Sequence, residues 1–128
     1  MIKPDIVANG QYGEILAFIL KNRFEVANLR MVRINTERAE QFYAAHKGKE
    51  FFEALIGYIT SGPVVAIEIV GDVIIPRIRA FVGATDPAKA EPGTIRHMYG
   101  ISIQNNAVHA SDAPESAKKE LAIVFGDS

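Results

Sequence analysis

Apolar residues recur at helical spacing in two stretches of this 128-residue chain. Residues 13–21 and 51–59 both place them three or four positions apart, the period of an amphipathic helix. Ser61-Gly62-Pro63 ends the second stretch, because proline and glycine do not continue a helix. A further helix is predicted from Thr36, which we expect to be its N-cap, to about His46. Three helices are therefore expected in the first half of the chain.

Other stretches are rich in the residues that strands prefer. Residues 24–34 contain many β-formers, and residues 64–70 form a near-continuous apolar run that predicts a buried strand. A short apolar run at residues 121–125 is predicted to be the last strand. The residues of the first strand expected to point inward are Val26, Met31, Val32 and Ile34.

The remaining segments complete an alternation of helices and strands. Gly71-Asp72 is predicted to open a helix, residues 83–93 to form a loop, and Pro114 to begin a short helix. The chain has no internal repeat and no linker-like segment. The pattern therefore predicts a single α/β sandwich domain spanning residues 1–128.

Composition narrows the class of protein. The chain has 14 basic and 15 acidic residues and no basic block, which argues against nucleic-acid binding as its main task. It lacks cysteine, which excludes disulfides and thiolate metal sites. Neither a membrane span nor a signal peptide is visible in the sequence. We therefore expect a cytoplasmic protein.

The segment Asn106-Ala107-Val108-His109-Ala110-Ser111-Asp112 carries the strongest chemical signal. It places a histidine among small and polar residues, just before a predicted helix. A neutral imidazole in such surroundings can approach a ligand closely and attack it, and phosphorus is the target we favour. A histidine taken alone is more often a surface or packing residue, so the case for catalysis depends on the rest of the chain.

This segment resembles the active-site signature of the nucleoside diphosphate kinases. Further motifs of that family recur in order along nearly the whole chain. They are Ile2-Lys3-Pro4-Asp5, Phe42-Tyr43-x-x-His46, Ser61-Gly62-Pro63-Val64-Val65, Gly83-Ala84-Thr85-Asp86-Pro87, Pro92-Gly93-Thr94-Ile95-Arg96, and Ser116-Ala117 with Glu120. The resemblance implies a ferredoxin-like fold, with an antiparallel four-stranded sheet covered by helices.

The resemblance also implies an activity. His109 would take the γ-phosphate of a nucleoside triphosphate and pass it to a nucleoside diphosphate in a second step, a ping-pong mechanism. Glu120 would hold the imidazole and balance its developing charge, while Lys3, Tyr43 and Ser111 would assist catalysis. The alternative is a nucleotide-binding scaffold or regulatory homologue with low turnover.

Nucleotide-binding residues follow from the same motifs. By resemblance, Arg79, Arg96 and Thr85 would bind phosphates, and His46 would touch them through water. The base would lie between two apolar side chains, and the ribose would contact a lysine and an amide. The implied nucleotide-binding residues are Lys3, Phe51, Arg79, Thr85, Arg96, Ile103 and Asn106.

The sequence also gives expectations for a cofactor and for binding partners. We see no cage of carboxylates for a metal, so Mg²⁺ is expected to be bound mainly by the nucleotide phosphates and water. ATP is the expected donor. Relatives assemble as tetramers or hexamers, which implies a homo-oligomer here, with no membrane and no specific nucleic acid as partner.

Two departures from the family carry expectations of their own. Relatives have about a strand's worth of sequence before the Ile-Lys-Pro motif, so the resemblance implies that the first strand is truncated here. Arg96 is followed by His97-Met98, where the family usually has a small residue and an aspartate. The loss of that carboxylate is expected to change how Arg96 is held.

Overall fold

An antiparallel sheet forms the centre of the molecule in the computed structural model, which describes residues 1–126. Strand β1 (Glu25–Val32) pairs with strand β2 (Val64–Val70), so that Glu25 lies opposite Val70 and Val32 opposite Val64. Ile2 extends the sheet, because it forms antiparallel bridges with both Val65 and Val108. The extended segments thus follow the spatial order β1, β2, Ile2, Val108.

Helices cover this sheet. The α-helices are α1 (Pro4–Ala8), α2 (Tyr12–Lys21), α3 (Thr36–Phe42), α4 (Phe52–Ile59), α5 (Ile74–Val82), α6 (Ile95–Tyr99) and α7 (Pro114–Phe125). Short 3-10 turns occur at Ala44–His46 and Pro87–Lys89. Four antiparallel segments in this order, with helices packed on them, confirm the predicted ferredoxin-like class.

Two apolar clusters lie on opposite faces of the sheet. Val64 and Ala66 join the cluster that also contains residues of α3, α4 and α7. Val65 points the other way and joins the cluster that contains Ile2, Val108 and residues of α1 and α2. This division follows from the alternation of side chains along a strand. Because Val108 is anchored in the second cluster, the backbone that leads to His109 is fixed by the core.

The prediction of a last strand is wrong. Residues 121–125 were expected to form a strand, but they are the final turns of helix α7. A five-residue apolar run is compatible with either structure, and here Pro114 begins a helix long enough to include it. Within that helix, Val124 is buried against the sheet. The fourth segment of the sheet is instead the Val108 bridge.

The third helix differs from its prediction at both ends. Asn35, not Thr36, is the N-cap, and its side chain accepts a hydrogen bond from Arg38 N at 2.8 Å. The helix ends at Phe42, and the 3-10 turn Ala44–His46 follows. Asparagine and threonine both cap helices well, so the sequence alone did not discriminate between two adjacent candidates.

Two further predictions are corrected. Met31 was expected to point inward, but it is 49% exposed, because β1 is the edge strand of the described sheet. The helix predicted to open at Gly71-Asp72 begins only at Ile74, after Val73 in the left-handed region with φ 50°.

No helix within residues 1–126 is both long enough and apolar enough to cross a bilayer.

Candidate active site

A cavity of about 650 Å³ lies next to the Ile2–Val108 bridge, and residues of α3, α4, α5, α6 and α7 contribute to its lining. Every site residue expected from the sequence except Ser111 lines it. Those residues are Lys3, Tyr43, Phe51, Arg79, Thr85, Arg96, Ile103, Asn106, His109 and Glu120. His46 lines it as well. Residues from the start, middle and end of the chain are therefore brought together at one cavity.

His109 and Glu120 form a hydrogen-bonded pair in this cavity. His109 Nε2 lies 2.6 Å from Glu120 Oε1, and the Ser111 hydroxyl donates to the same oxygen at 2.6 Å. An ionised carboxylate only accepts hydrogen bonds, so Nε2 carries the proton and Nδ1 keeps its lone pair. Ser111 thus lies behind the cavity wall, where it holds Glu120. The pair presents an oriented imidazole with a free nucleophilic nitrogen.

Burial sets the charge state of the pair. Burial lowers the pKa of His109 below its ordinary 6.5, although the hydrogen bond and charge of Glu120 oppose this. Burial acts to raise the pKa of Glu120, but the hydrogen bonds from His109 and Ser111 outweigh it and the pKa is lowered. At neutral pH the imidazole is therefore neutral and the carboxylate ionised, the combination that a nucleophile and its charge partner require.

A strained turn precedes the histidine. Ala107 is fully buried with φ 77°, and Val108 N donates to the Asn106 carbonyl oxygen at 3.0 Å. This is a γ-turn with positive φ, which is rare and costs about 1–3 kcal/mol for a residue other than glycine. The turn places Asn106 and His109 at the same cavity. Nothing in the sequence pattern predicted it, because alanine carries no turn signal.

Lys3 and Asn106 meet at the floor of the cavity. Lys3 Nζ donates to Asn106 Oδ1 at 2.7 Å and to the Gln104 carbonyl oxygen at 3.2 Å. Asn106 Nδ2 in turn donates to the Thr85 carbonyl oxygen at 2.9 Å. Lys3 and Asn106 are both buried. The amide therefore fixes the ammonium group relative to the loop that carries Thr85.

Two arginines supply positive charge on the side nearest His109. Arg79 donates to the Ala110 carbonyl oxygen at 2.9 Å, and Arg96 donates to the carbonyl oxygens of Gly83 and Val108, both at 3.0 Å. Burial, together with the charge of Arg79, lowers the pKa of Arg96 to about 10. Arg96 therefore remains protonated at neutral pH. Its carbonyl contacts show how it is held without the aspartate that the family usually provides.

Gly83 makes one of these contacts possible. It has φ 96°, and a Cβ at this position would come within 2.5 Å of the Thr94 hydroxyl oxygen. Only glycine fits both the backbone conformation and the space. Its carbonyl is thereby directed at Arg96, and the loop that follows presents Thr85, which is exposed at the cavity.

Apolar side chains stand at the mouth of the cavity. Phe51 is 47% exposed and Ile103 is 62% exposed, although both are large and hydrophobic. They come from different parts of the chain and line the same opening. Exposed apolar residues that flank a polar cavity are typical of a site that binds the flat, apolar part of a ligand.

Aromatic rings surround the imidazole and extend toward the mouth. Phe42 and Tyr43 meet the His109 ring edge-on, with centroid distances of 4.8 and 5.9 Å. His46 stacks on Tyr43 at 6.3 Å. The buried Tyr43 hydroxyl has no hydrogen-bond partner in the described part of the chain, so it is available to a ligand. Phe42, whose ring orients His109, was not among the predicted site residues, because its sequence context indicates only core.

The donor set of the cavity does not suit a metal held by the protein alone. Residues 1–126 contain no cluster of three or more histidine, aspartate or glutamate side chains that could hold an ion. Asp112 lines the cavity, but its carboxylate accepts a hydrogen bond from Ser116 at 2.6 Å. Lys3, Arg79 and Arg96 instead make the cavity suitable for an anionic ligand such as a polyphosphate.

Comparisons with known proteins agree with this geometry. A sequence profile described as nucleoside diphosphate kinase matches residues 1–128. A nucleoside diphosphate kinase of Pelotomaculum thermopropionicum is 54% identical over 125 residues, which are 98% of this chain and 84% of that protein. The relative from Saccharolobus solfataricus is 46% identical over 128 residues, 100% of this chain and 93% of its own.

A solved structure gives the same result. The nucleoside diphosphate kinase of Halobacterium salinarum in complex with CDP superposes with a TM-score of 0.93 at 37% identity, covering 98% of this chain and 84% of that one. The family resemblance and the nucleotide kinase function predicted from the sequence are therefore confirmed. The chain belongs to the nucleoside diphosphate kinase family, whose members transfer phosphate between nucleotides through a phosphohistidine.

Proposed function

We propose that residues 1–128 act as one catalytic domain in which His109 Nδ1 attacks the γ-phosphorus of a nucleoside triphosphate. The N–P bond forms as the bond to the β-phosphate oxygen breaks, and the nucleoside diphosphate leaves with that electron pair. A terminal oxygen of a second diphosphate then attacks the phosphorus, and the N–P bond breaks with its electron pair returning to His109 Nδ1. The observation that carries this proposal is the 2.6 Å contact between His109 Nε2 and Glu120. It leaves Nδ1 free and places a carboxylate where positive charge develops.

The phosphates would be bound by the positive side of the cavity. Phosphoryl transfer depends mainly on positioning and charge stabilisation, which guanidinium and ammonium groups provide. We assign this role to Arg79, Arg96 and Lys3, with the Thr85 hydroxyl as a further donor. Tyr43 would donate its hydroxyl near the transferred phosphate. A water-mediated contact from His46 fits its position beside Tyr43.

The nucleoside would lie toward the mouth. Phe51 and Ile103 would hold the base between them, and such stacking tolerates any base because each has a π-face. Lys3 and Asn106 would hydrogen-bond the ribose hydroxyl. The related protein from Halobacterium salinarum binds CDP, which supports a nucleotide in this cavity. We expect purines and pyrimidines, and riboses and deoxyriboses, to be accepted alike, with ATP as the donor.

Mg²⁺ would enter with the nucleotide. The ion prefers oxygen ligands and retains several of its waters. A triphosphate supplies several oxygen ligands, whereas Asp112 supplies a single carboxylate. We therefore infer that the phosphates and water bind it, and that it neutralises charge on the leaving diphosphate.

The cytoplasmic localisation expected from the sequence stays a prediction.

The test of the function is a single incubation with γ-labelled ATP and Mg²⁺, followed by a chase with unlabelled diphosphates. We expect an acid-labile, base-stable label on the protein that transfers equally to GDP, CDP and UDP. Omitting Mg²⁺ and adding a chelator should prevent labelling. A folded protein that binds nucleotide but takes no label would favour the alternative, a scaffold or regulatory homologue.

We also propose that the protein is a homo-oligomer, a tetramer or a hexamer, built in part on strand β1. Within residues 1–126 this strand pairs only with β2, so its other edge is open. Leu29 and Met31 lie on one face of it and are 54% and 49% exposed. An open edge with exposed apolar residues is a surface that proteins normally cover. Pairing of this strand with its copy would cover it in a symmetric contact.

Leu29→Glu is expected to reduce the oligomer to smaller species, because it places a charge in the centre of this contact. Light scattering coupled to size-exclusion chromatography measures the mass. Ala122→Glu, at an exposed position on α7, is the control and should leave the mass unchanged. An unchanged mass for the Leu29 variant, or a monomeric unmodified protein, would contradict the proposal.

A further inference from the structure

Lys3 has a second set of neighbours, which do not line the cavity. Its Nζ atom lies 5.9 Å from the centre of the Tyr58 ring, over the face of that ring. A cation over an aromatic face is attracted by the negative potential of the π-system. Tyr58 belongs to α4 and lies one residue before the end of that helix. It is therefore attached to a rigid part of the core.

Tyr58 is also hydrogen-bonded to an acidic residue that lies two positions after Lys3 in the sequence. Its hydroxyl donates to the carboxylate of Asp5, which lies in the first turn of α1. Burial raises the pKa of Tyr58, and the hydrogen bond to Asp5 raises it further, so the phenol keeps its proton and remains a donor. Asp5 and Tyr58 are both half-buried. The phenol thus fixes a negative charge near the ammonium of Lys3, a residue that is only 5% exposed.

The charges that face Lys3 oppose one another. Burial, together with the guanidinium of Arg96, lowers the pKa of Lys3 to about 8, and the carboxylate of Asp5 acts against this shift. The His109 imidazole and the terminal amine of Met1 also interact with this ammonium. Asp5 is thus the negative group that favours the charged form of Lys3. Two of the three N–H donors of Lys3 are used by Asn106 and Gln104, which leaves one for a ligand.

We propose that Asp5 and Tyr58 form a positioning pair for Lys3, in which the phenol hydroxyl holds the Asp5 carboxylate near the ammonium and the Tyr58 ring packs against the ammonium. This proposal rests on the role given above to Lys3. Neither residue of the pair reaches the cavity, so they act on the reaction only through Lys3. They favour the charged form of Lys3 and set the direction of its one free N–H.

The test is a titration of Lys3 that does not depend on catalysis. The protein is labelled with ¹³C-lysine, and the Lys3 Cε signal, assigned with Lys3→Gln, is followed from about pH 6 to 11. We expect Asp5→Asn to lower the pKa of Lys3 by roughly one unit, because it removes the nearby opposite charge. Tyr58→Phe should lower it by less, since Asp5 keeps its charge but loses its anchor.

The kinetic readout follows from that shift. If the pKa falls from about 8 to about 7, the charged fraction of Lys3 at about pH 8.5 falls about eightfold, while at about pH 6.5 it changes little. We therefore expect kcat/KM of Asp5→Asn to match the unmodified protein at the lower pH and to drop about eightfold at the higher one. A structural defect would lower it equally at both.

Tyr99→Phe is the matched control. Tyr99 also donates to a carboxylate in the first turn of a helix, Glu14, at 3.2 Å, but it lies outside the cavity. Its variant should leave both the Lys3 titration and the pH profile unchanged. An unaltered Lys3 pKa in Asp5→Asn, or an equal loss of kcat/KM at every pH, would overturn the proposal. Because the titration needs no turnover, failure of the proposed catalytic role would appear separately, as an unmodified protein that takes no label.

Discussion

His109→Ala is expected to abolish labelling from γ-labelled ATP and to lower turnover by a factor on the order of 10⁴ or more. The variant lacks the nitrogen that forms the N–P bond, and no other histidine in the cavity is paired with a carboxylate. Nucleotide binding should be nearly intact, because Lys3, Arg79 and Arg96 are held by contacts that do not involve the imidazole. Labelling, steady-state turnover and calorimetric titration with ADP measure the three quantities.

The matched control is His97→Ala. His97 is exposed, lies next to Arg96 in the sequence and is absent from the cavity lining. Its replacement should change neither labelling nor turnover. If His109→Ala still accepted label, the nucleophile would lie elsewhere. If it lost nucleotide binding together with turnover, the imidazole would be part of the binding surface and not only the nucleophile.

The sequence predicted helices well where the apolar period was long. Residues 13–21 and 51–59 were expected to be helical, and α2 and α4 occupy those positions within one residue. Residues 64–70 were expected to form a strand and do so. The prediction was wrong for residues 121–125, because so short an apolar run does not distinguish the two periods. The register of Ile2 between Val65 and Val108 depends on contacts distant in sequence, which the local pattern does not contain.

The candidate site was predicted mainly from motifs, and the structure adds how its residues are held. Sequence order gave no sign that Arg96 would be bound by two backbone carbonyls in place of a carboxylate. The γ-turn at Ala107 was equally invisible, since its strain is imposed by the buried neighbours on both sides. Phe42 resembled an ordinary core residue, although its ring contacts His109. The motifs indicate which residues are candidates for the site, whereas the orientation of those residues comes from packing.

Glu120→Gln is expected to lower the rate of His109 phosphorylation about 10- to 150-fold. Glutamine has nearly the same shape, and its amide oxygen can still accept from Nε2 and from Ser111 at the positions now 2.6 Å away. What it lacks is the negative charge that stabilises the imidazolium formed with the N–P bond. A hydrogen bond to a charged group contributes about 1.5–3 kcal/mol, which corresponds to this range of rates. Rapid-mixing measurement of the label on the protein gives the rate directly.

The pH profile separates this charge effect from a loss of packing. The reaction needs the neutral imidazole, so the rate falls as the pH decreases through the pKa of His109, which burial places below 6.5. Glu120 opposes that shift, so its neutral replacement should lower the pKa of His109 further and move the acidic limb to lower pH. Glu115→Gln, at an exposed position in the first turn of the same helix, should leave the rate and limb unchanged. An unmoved limb, or a rate equal to that of the unmodified protein, would mean that Glu120 orients the ring without supplying charge. If the limb moves down while the rate falls, the carboxylate acts in the transition state, and the 2.6 Å contact is part of the chemistry as well as of the fold.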